Sequence, residues 1–181
     1  MWNASAYVEN VRPPRQSECD AAAAAGDTQR LAFLRAHGYY WNTLTCQAAA
    51  GGGHIGTLEW ARLHGCEWDE HVCEASIRGG HLNVLRWARK HGCRWRKHCL
   101  CELAAKHGHL DILRWLVAST CPMTPAVCEL AAGRGDIDLL EWAVLKGGCE
   151  WQREICRGKA ENAGHIATVE WIDAHIKLNF T

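Results

Sequence analysis

One aromatic position recurs through almost the whole chain. A phenylalanine and five tryptophans occupy it at spacings of 27, 27, 28, 27 and 29 residues, namely Phe33, Trp60, Trp87, Trp115, Trp142 and Trp171. Each copy opens on a glycine, often followed by histidine, and continues into a short apolar stretch. Self-similarity at a period of roughly 20–50 residues is typical of stacked repeat proteins, whose units bury their apolar sides against one another. This period constrains the fold more strongly than composition does.

The period also sets the boundaries that we predict. Full repeats are placed at 26–52, 53–79, 80–107, 108–134 and 135–163, with a half-unit at 17–25 and a terminal half-repeat at 164–181. Residues 1–16 contain two adjacent prolines and no periodicity, so we expect a flexible lead-in there. The 181 residues suit one repeat domain, 17–181, after that lead-in.

Each repeat is predicted to contain two short helices, for example Glu70–Arg78 and His81–His91. Asp69 is placed to cap the first helix, and Gly92 is placed to end the second in a left-handed conformation. Helices of this length are marginally stable alone, so their stability must come from packing within the stack. We therefore predict that the six recurring aromatic residues form the structural core.

The cysteines follow the same period. Six of the eleven occupy one position, namely Cys19, Cys46, Cys73, Cys101, Cys128 and Cys156. Four occupy a second position, namely Cys66, Cys93, Cys121 and Cys149, and Cys99 is left over. Equivalent residues of adjacent repeats lie about 10 Å apart, beyond the roughly 7 Å that a disulfide tolerates between Cα atoms. We interpret these cysteines as small buried apolar residues in a reducing compartment.

Histidines suggest two further interpretations. Cys93, His98, Cys99 and Cys101 lie close together, as zinc ligands often do, but the following copies lack the histidine, so we predict no metal site. A second set follows the opening glycines, namely His54, His81, His109 and His165. Aspartates fill that position in two other copies, and both residue types accept hydrogen bonds, so we predict local helix capping.

The motif Cys101-x-x-Ala104-Ala105-x-x-Gly108-His109 resembles the ankyrin repeat, with cysteine in place of its leucine. The resemblance implies an all-α helical-repeat solenoid of helix-turn-helix units. Ankyrin repeats usually have a period of about 33 residues, and the deficit falls where they carry a β-hairpin finger. We expect a short variant without fingers, rich in tryptophan and cysteine, similar to repeats of large DNA viruses and protists.

The same resemblance implies a non-catalytic protein–protein interaction module, such as a scaffold or adaptor. No nucleophile elbow, phosphate loop or dinucleotide fingerprint occurs, so we expect neither an enzyme nor a cofactor. The 20 basic and 20 acidic residues balance, which disfavours nucleic acid as a partner. No apolar run approaches 18 residues, so we expect no membrane association and a cytoplasmic protein, in the host cytoplasm if the origin is viral.

Residues that vary between copies are the predicted protein-binding site. One copy carries Glu67, Asp69 and Glu70 at the turn before its first helix, and the next carries Arg94, Arg96 and Lys97 there. Either this is an ordinary solvated face, or it is a bipolar surface for a charged partner segment. An alternative function is self-association through the apolar C-terminal end, namely Ile172, Ile176, Leu178 and Phe180. The same segment could instead fold back over the stack.

Overall fold

The computed structural model describes residues 16–175, where the chain forms twelve α-helices and no β-strand. The helices are α1 Gln16–Ala24, α2 Thr28–Ala36, α3 Thr43–Gly51, α4 Ile55–Leu63, α5 His71–Arg78, α6 Leu82–Lys90, α7 Leu100–His107, α8 Leu110–Ala118, α9 Pro125–Arg134, α10 Ile137–Leu145, α11 Arg153–Asn162 and α12 Ile166–Ala174. A short 3₁₀ turn, Lys97–Cys99, precedes α7. Each predicted repeat between residues 26 and 163 contains two of these helices. The predicted all-α helical-repeat fold without fingers is confirmed. The predicted lead-in, apart from its last residue, lies outside the described range.

The helices alternate between two kinds. The odd-numbered helices carry the first cysteine position, and we call them the cysteine helices. The even-numbered helices carry the recurring aromatic residue, and we call them the aromatic helices. In the first unit the cysteine helices α1, α3 and α5 pack on one another in order, and in the second unit α7, α9 and α11 do. The aromatic helices α2, α4, α8, α10 and α12 pack against the cysteine helix that precedes each of them. No helix among residues 16–175 is long and apolar enough to span a membrane.

The chain divides into two compact units, which are described separately. The first unit runs to Gly79 and includes Asn83–Cys93, so it contains α1 to α5 and nearly all of α6. The second unit takes Gly80–Leu82 and the chain from Arg94 onward, and it contains α7 to α12. The sequence predicts one continuous repeat domain, whereas contacts within the chain cluster around these two centres.

Small side chains let the cysteine helices approach closely. Ala49 and Ala50 in α3 are fully buried, and Ala131 and Ala132 in α9 are buried in the same way. The cysteine of each helix is also buried, as at Cys46. Because these side chains project little from the backbone, neighbouring helices can pack at short range and exclude water between them. Alanine and cysteine at these positions therefore allow the cysteine helices to pack closely.

The core of the aromatic helices is aliphatic, and this corrects the predicted aromatic core. Leu58 and Leu85 are fully buried and have no solvent-accessible surface. Phe33, in contrast, is 59% exposed, so its prediction as a core residue is wrong. The other five aromatic residues of the row are half-buried rather than buried, namely Trp60, Trp87, Trp115, Trp142 and Trp171.

Helix geometry explains the correction. In α6, Val84, Leu85 and Ala88 point into the core, and Trp87 lies about 100° further round the helix from its neighbour Ala88. A tryptophan at this position would be buried only if its helix were covered on both sides. An aromatic helix such as α4 packs chiefly against one cysteine helix, α3, so one face is covered and the tryptophan lies at the flank of that face.

Candidate recognition surface

Each aromatic helix of the first unit presents an aromatic ring paired with an imidazole one turn later. The pairs are Phe33 with His37, Trp60 with His64 and Trp87 with His91, with ring centroids 3.9, 4.1 and 4.2 Å apart. In each pair the histidine Nδ1–H donates to the aromatic residue's carbonyl at 2.8 Å. Residues i and i+4 share one helix face, so the pairing follows from their spacing. The imidazole holds the ring in place at the surface.

A second tryptophan braces this row from the turn that follows each helix. Trp41 meets Trp60 edge-to-face with centroids 5.8 Å apart, and Trp68 meets Trp87 at the same distance. The Arg62 guanidinium lies 4.6 Å from the centroid of the Trp68 ring and donates to the Cys66 carbonyl at 2.9 Å. Edge-to-face and cation–π contacts each contribute about 1 kcal/mol, so the rings form a rigid surface.

Two large apolar side chains stand out from that surface. Phe33 is 59% exposed and Leu63 is 79% exposed, on neighbouring helices of the first unit. Beside Leu63, a cavity of about 260 Å³ opens between α4 and α6. Its walls are Glu59, Arg62, Leu63, Trp68, Trp87 and His91. An exposed apolar residue beside an aromatic cavity is typical of a protein-binding surface.

Charge is segregated on the aromatic helices, although the whole chain is neutral. Those of the first unit carry one acidic residue, Glu59, and six basic residues, namely Arg30, Arg35, Arg62, Arg86, Arg89 and Lys90. Those of the second unit carry Arg114 as their basic residue and five acidic residues, namely Asp111, Asp138, Glu141, Glu170 and Asp173. We call Phe33, Trp60, Leu63 and Trp87, together with the six basic residues, the aromatic–basic face.

Sequence reasoning missed this face because it counted charge over the whole chain. The excess of basic residues becomes visible only after the helices are divided into cysteine helices and aromatic helices and the charged residues of each kind are counted separately. Of the six basic residues, Arg30, Arg86 and Lys90 are exposed. A local excess of one sign creates a field that attracts oppositely charged partners, even where the molecule as a whole has no net charge.

The predicted turn residues fall into different units. Glu67, Asp69 and Glu70 belong to the first unit, and the basic set, Arg94, Arg96 and Lys97, belongs to the second. The Asp69 carboxylate accepts hydrogen bonds from Gln47 Nε2 at 3.2 Å and from the His71 amide at 3.1 Å. Asp69 therefore holds the start of α5 in place. Lys97 donates to the Thr120 hydroxyl at 3.3 Å, while all three basic side chains are exposed.

His54, His109 and His165 make no side-chain capping bond to their own helices, which corrects the predicted local capping for these three. The His54 Nε2–H instead donates to the Ala24 carbonyl at the end of α1, at 3.0 Å. The ring lies directly over Gly26, where an added Cβ would be 2.5 Å from Nδ1. Arg134 reaches back in the same way, donating to the Lys106 carbonyl at 3.1 Å.

The aspartates in that position do cap locally. Asp27 accepts from the Arg30 amide at 2.8 Å, and Asp136 accepts from the Leu139 amide at 3.0 Å. The aspartate side chain is short, and its carboxylate accepts hydrogen bonds from the amides at a helix start. An imidazole N–H can instead donate to a carbonyl at the end of the neighbouring helix. One position in the repeat thus carries two different structural functions.

The two cysteine positions meet between adjacent repeats in three places. Cys128 Sγ–H donates to Cys149 Sγ at 2.7 Å, and Cys149 Sγ–H donates to the Thr124 carbonyl at 3.4 Å. Equivalent pairs are Cys46 with Cys66 and Cys73 with Cys93. Sequence reasoning compared only cysteines in the same position and did not anticipate these pairs. Among residues 16–175, no group of three or more potential ligands could hold a metal ion.

Burial controls the chemistry of these thiols. It raises the pKa of Cys101 to about 12 and the pKa of Cys156 to about 12, because a thiolate loses its hydration there. In the Cys46 pair, the hydrogen bond to Cys66, together with burial, raises the pKa of the Cys46 thiol. Since the thiolate is the nucleophile, Cys46, Cys101 and Cys156 are suited to packing rather than reaction.

The structure removes Ile172 from the residues that the sequence predicts for self-association. Ile172 is fully buried within the second unit, so it cannot line an interface, and Ile176, Leu178 and Phe180 lie outside the described residues. Ile155 in α11 is 43% exposed, whereas Val127, its counterpart in α9, is fully buried.

Comparison with known proteins bears on the fold. No protein-family model matches the sequence. No curated protein matches it. Among solved structures, the human ASB11 ankyrin repeat domain aligns with a TM-score of 0.64 and 14% sequence identity, over 89% of this chain and 85% of that one. A similarity at this identity shows the fold, and the chain accordingly has an ankyrin-type helical-repeat fold.

Proposed function

We propose that this protein is a non-catalytic protein-recognition module, a scaffold or adaptor that binds its partner through the aromatic–basic face. The observation that carries the proposal is the exposure of Phe33 and Leu63 beside braced tryptophans, within a set of six basic residues. Aromatic residues and arginine are the residue types enriched at protein interfaces. Repeat proteins bind through extended faces of this kind.

The aromatic–basic face is a better candidate than the predicted turn residues. Asp69 is engaged in holding α5, and the turn set has no exposed apolar side chain that would supply binding energy. Interfaces draw most of their energy from a few buried anchors, and charged rims chiefly affect specificity and association rate. Phe33 and Leu63 can serve as anchors, whereas the turn residues resemble a rim.

The proposal also includes location and origin. We place the protein in the cytoplasm, because ten of its cysteines are buried as small apolar side chains, and free thiols of this kind are typical of a reducing compartment. The repeat period and the cysteine and tryptophan content are similar to those of large DNA viruses and protists, and in the viral case the compartment would be the host cytoplasm.

Affinity capture from cell lysate tests the proposal with two matched variants. The face variant reverses three exposed charges of the aromatic–basic face, through Arg30→Glu, Arg86→Glu and Lys90→Glu. The turn variant makes the same change of charge elsewhere, through Arg94→Glu, Arg96→Glu and Lys97→Glu. We expect a protein retained by the unmodified chain and by the turn variant, and lost by the face variant. Equal retention by all three would refute the proposed face, and loss by the turn variant alone would favour the turn residues.

A second candidate function is self-association through the last repeat. Two exposed side chains favour it, Ile155 at 43% and Ile166 at 72%. The residues at the equivalent positions of the other described copies are buried or half-buried. Exposed apolar side chains of this size promote association. Sedimentation should then give a mass that rises with concentration in the unmodified protein and stays monomeric in Ile155→Glu/Ile166→Glu.

A further inference from the structure

We propose that the aromatic–basic face receives an acidic amphipathic helix whose apolar residues recur every seven positions. This inference rests on the proposed function and specifies the chemistry of the partner. It follows from the spacing of the aromatic helices, from their charge and from the shape of the surface between them.

The spacing of the aromatic residues matches the spacing of residues along a helix. Phe33, Trp60 and Trp87 occupy equivalent positions on α2, α4 and α6. The cysteine helices that precede them, α1, α3 and α5, pack on one another. Packed helices lie about 8–10 Å apart, so equivalent side chains of successive copies recur at about that distance. Seven residues of an α-helix rise about 10.5 Å. A partner helix lying across the three aromatic helices therefore brings one apolar residue to each repeat in turn.

Charge selects an acidic partner. The three aromatic helices carry six basic residues and one acidic residue, Glu59. Arg62 donates to the Cys66 carbonyl and lies against Trp68, and Arg35 donates to the Tyr39 carbonyl and lies 4.3 Å from the centroid of Trp41. A guanidinium has five N–H donors, so one such bond fixes its orientation and leaves donors for a carboxylate. The guanidinium groups of Arg35 and Arg62 are thus held in position before a partner arrives.

The cavity beside Leu63 suits a single large apolar side chain. Its volume is about 260 Å³, and Leu63, Trp68 and Trp87 provide apolar walls. Glu59 is the one acidic residue of the walls, and Arg62 and His91 are the groups among them that can donate hydrogen bonds to carboxylates flanking the inserted side chain. A leucine or phenylalanine of the partner fills this cavity, and its acidic neighbours contact the basic rim.

The rings are less suited to stacking nucleic-acid bases. His64 lies against Trp60 with an interplanar angle of 25°, and His91 lies against Trp87 at 27°. Base stacking requires an open ring face on successive aromatic residues. Because imidazoles already cover one face of these rings, an apolar side chain that packs against their edges fits better than a base.

A designed peptide of about 20 residues tests the inference, since three anchors at seven-residue spacing need about that length. It is rich in glutamate, has leucine at every seventh position and carries a fluorophore. The control peptide has the same composition in scrambled order. Fluorescence anisotropy compares their binding to the unmodified protein, the face variant, the turn variant and Phe33→Ala/Leu63→Ala, with circular dichroism showing that each variant is folded.

We expect the designed peptide to bind the unmodified protein and the turn variant equally. Binding should be at least about tenfold weaker for the face variant, for Phe33→Ala/Leu63→Ala and for the scrambled peptide, and it should weaken as salt is added. Equal binding of both peptides would overturn the seven-residue register. Equal loss by both charge-reversed variants would overturn the location on this face.

The remaining outcomes separate this inference from the proposed function. If the designed peptide fails to bind while the lysate partner still distinguishes the face variant from the turn variant, the recognition function stands and the acidic helix is wrong. Tighter binding of a single-stranded oligonucleotide than of the peptide would make nucleic acid the occupant. A mass that rises with concentration and falls back in the face variant would make a second copy of the chain the occupant. Either result would overturn the inference.

Discussion

Gly26 offers a sharp test of how neighbouring repeats are joined. Its φ of +72° lies in the left-handed region, and an added Cβ would be 2.5 Å from His54 Nδ1. The His54 ring is held there by its hydrogen bond to the Ala24 carbonyl. Gly26→Ala therefore imposes two penalties, one on the backbone and one on the contact between repeats. Gly65 is a matched control, because its φ is +83° and nothing lies within 4 Å of an added Cβ.

The two penalties can be estimated separately. An L-residue in the left-handed conformation costs about 1–2 kcal/mol, and this applies to both glycines. Displacing the His54 ring removes a hydrogen bond worth about 1 kcal/mol and disturbs the packing around it. The gain from a stiffer unfolded chain is the same for both substitutions and cancels in the comparison. We expect Gly26→Ala to lower the free energy of unfolding by about 1–2 kcal/mol more than Gly65→Ala does.

Urea unfolding followed by circular dichroism measures these differences. A double-mutant cycle with His54→Ala isolates the contact, because Gly26→Ala should then cost about as much as Gly65→Ala. Equal losses for the two glycine substitutions in the unmodified background would refute the proposed role of Gly26. So would a Gly26→Ala loss that is unchanged when the His54 ring has been removed.

Three further predictions concern the core, the thiols and the last two helices. Leu85→Ala should lower the free energy of unfolding by roughly 3 kcal/mol and Trp87→Ala by roughly 2 kcal/mol, because the leucine is buried and the tryptophan half-buried. Urea unfolding measures both losses, and a larger loss for Trp87→Ala than for Leu85→Ala would contradict the prediction. Native iodoacetamide labelling read by mass spectrometry should modify Cys99, the exposed cysteine, well before the ten buried ones, and equal labelling would contradict it. The hydrogen bond from Arg157 lowers the pKa of Asp173, so its stabilisation is complete above the unfolded-state pKa and is lost as pH falls through the folded value. Thermal unfolding of Asp173→Asn should therefore show a lower Tm than the unmodified protein at pH 7 and an equal Tm in strong acid; a gap that persisted in acid would contradict it.

The architecture could be predicted from the sequence because it depends on a pattern that repeats locally. Each repeat carries its own glycines, alanines and cysteine at fixed distances, and these specify two helices and a close packing between neighbours. Gly92, for example, has a φ of +83°, the left-handed value that its position after a helix predicts. Periodicity also predicted correctly that strands and fingers are absent from the described part of the chain.

The positions of the tryptophans and histidines could not be predicted in the same way. Whether Trp87 is buried depends on how many neighbours cover α6, and a sequence pattern does not distinguish a helix covered on one side from one covered on two. His54 contacts a residue 30 positions earlier, which local capping rules cannot reveal. Those contacts form between repeats, so they become visible only when the repeats are packed.

The candidate site was hidden for a different reason. The charges of Arg30 and Arg86 are present in the sequence, but they cancel against acidic residues elsewhere in the chain. Sorting the helices into two layers separates the two signs, and that sorting requires knowledge of which helices share a layer. The exposure of Leu63, at 79%, likewise depends on the packing of its helix and not on its residue type.

Hydroxyl-radical footprinting, with and without the captured partner, tests the proposed recognition face most directly. Radical oxidation reports the solvent exposure of aromatic and aliphatic side chains, and Phe33 and Leu63 are exposed in the unbound protein. Leu145, at 51% exposure, and Ile166, at 72%, serve as internal references in the second unit. We expect oxidation of Phe33 and Leu63 to fall several-fold when the partner binds, as for anchors buried in an interface, while the two references do not change. Unchanged oxidation of Phe33 and Leu63 in a complex that protects the references would contradict the proposed recognition face.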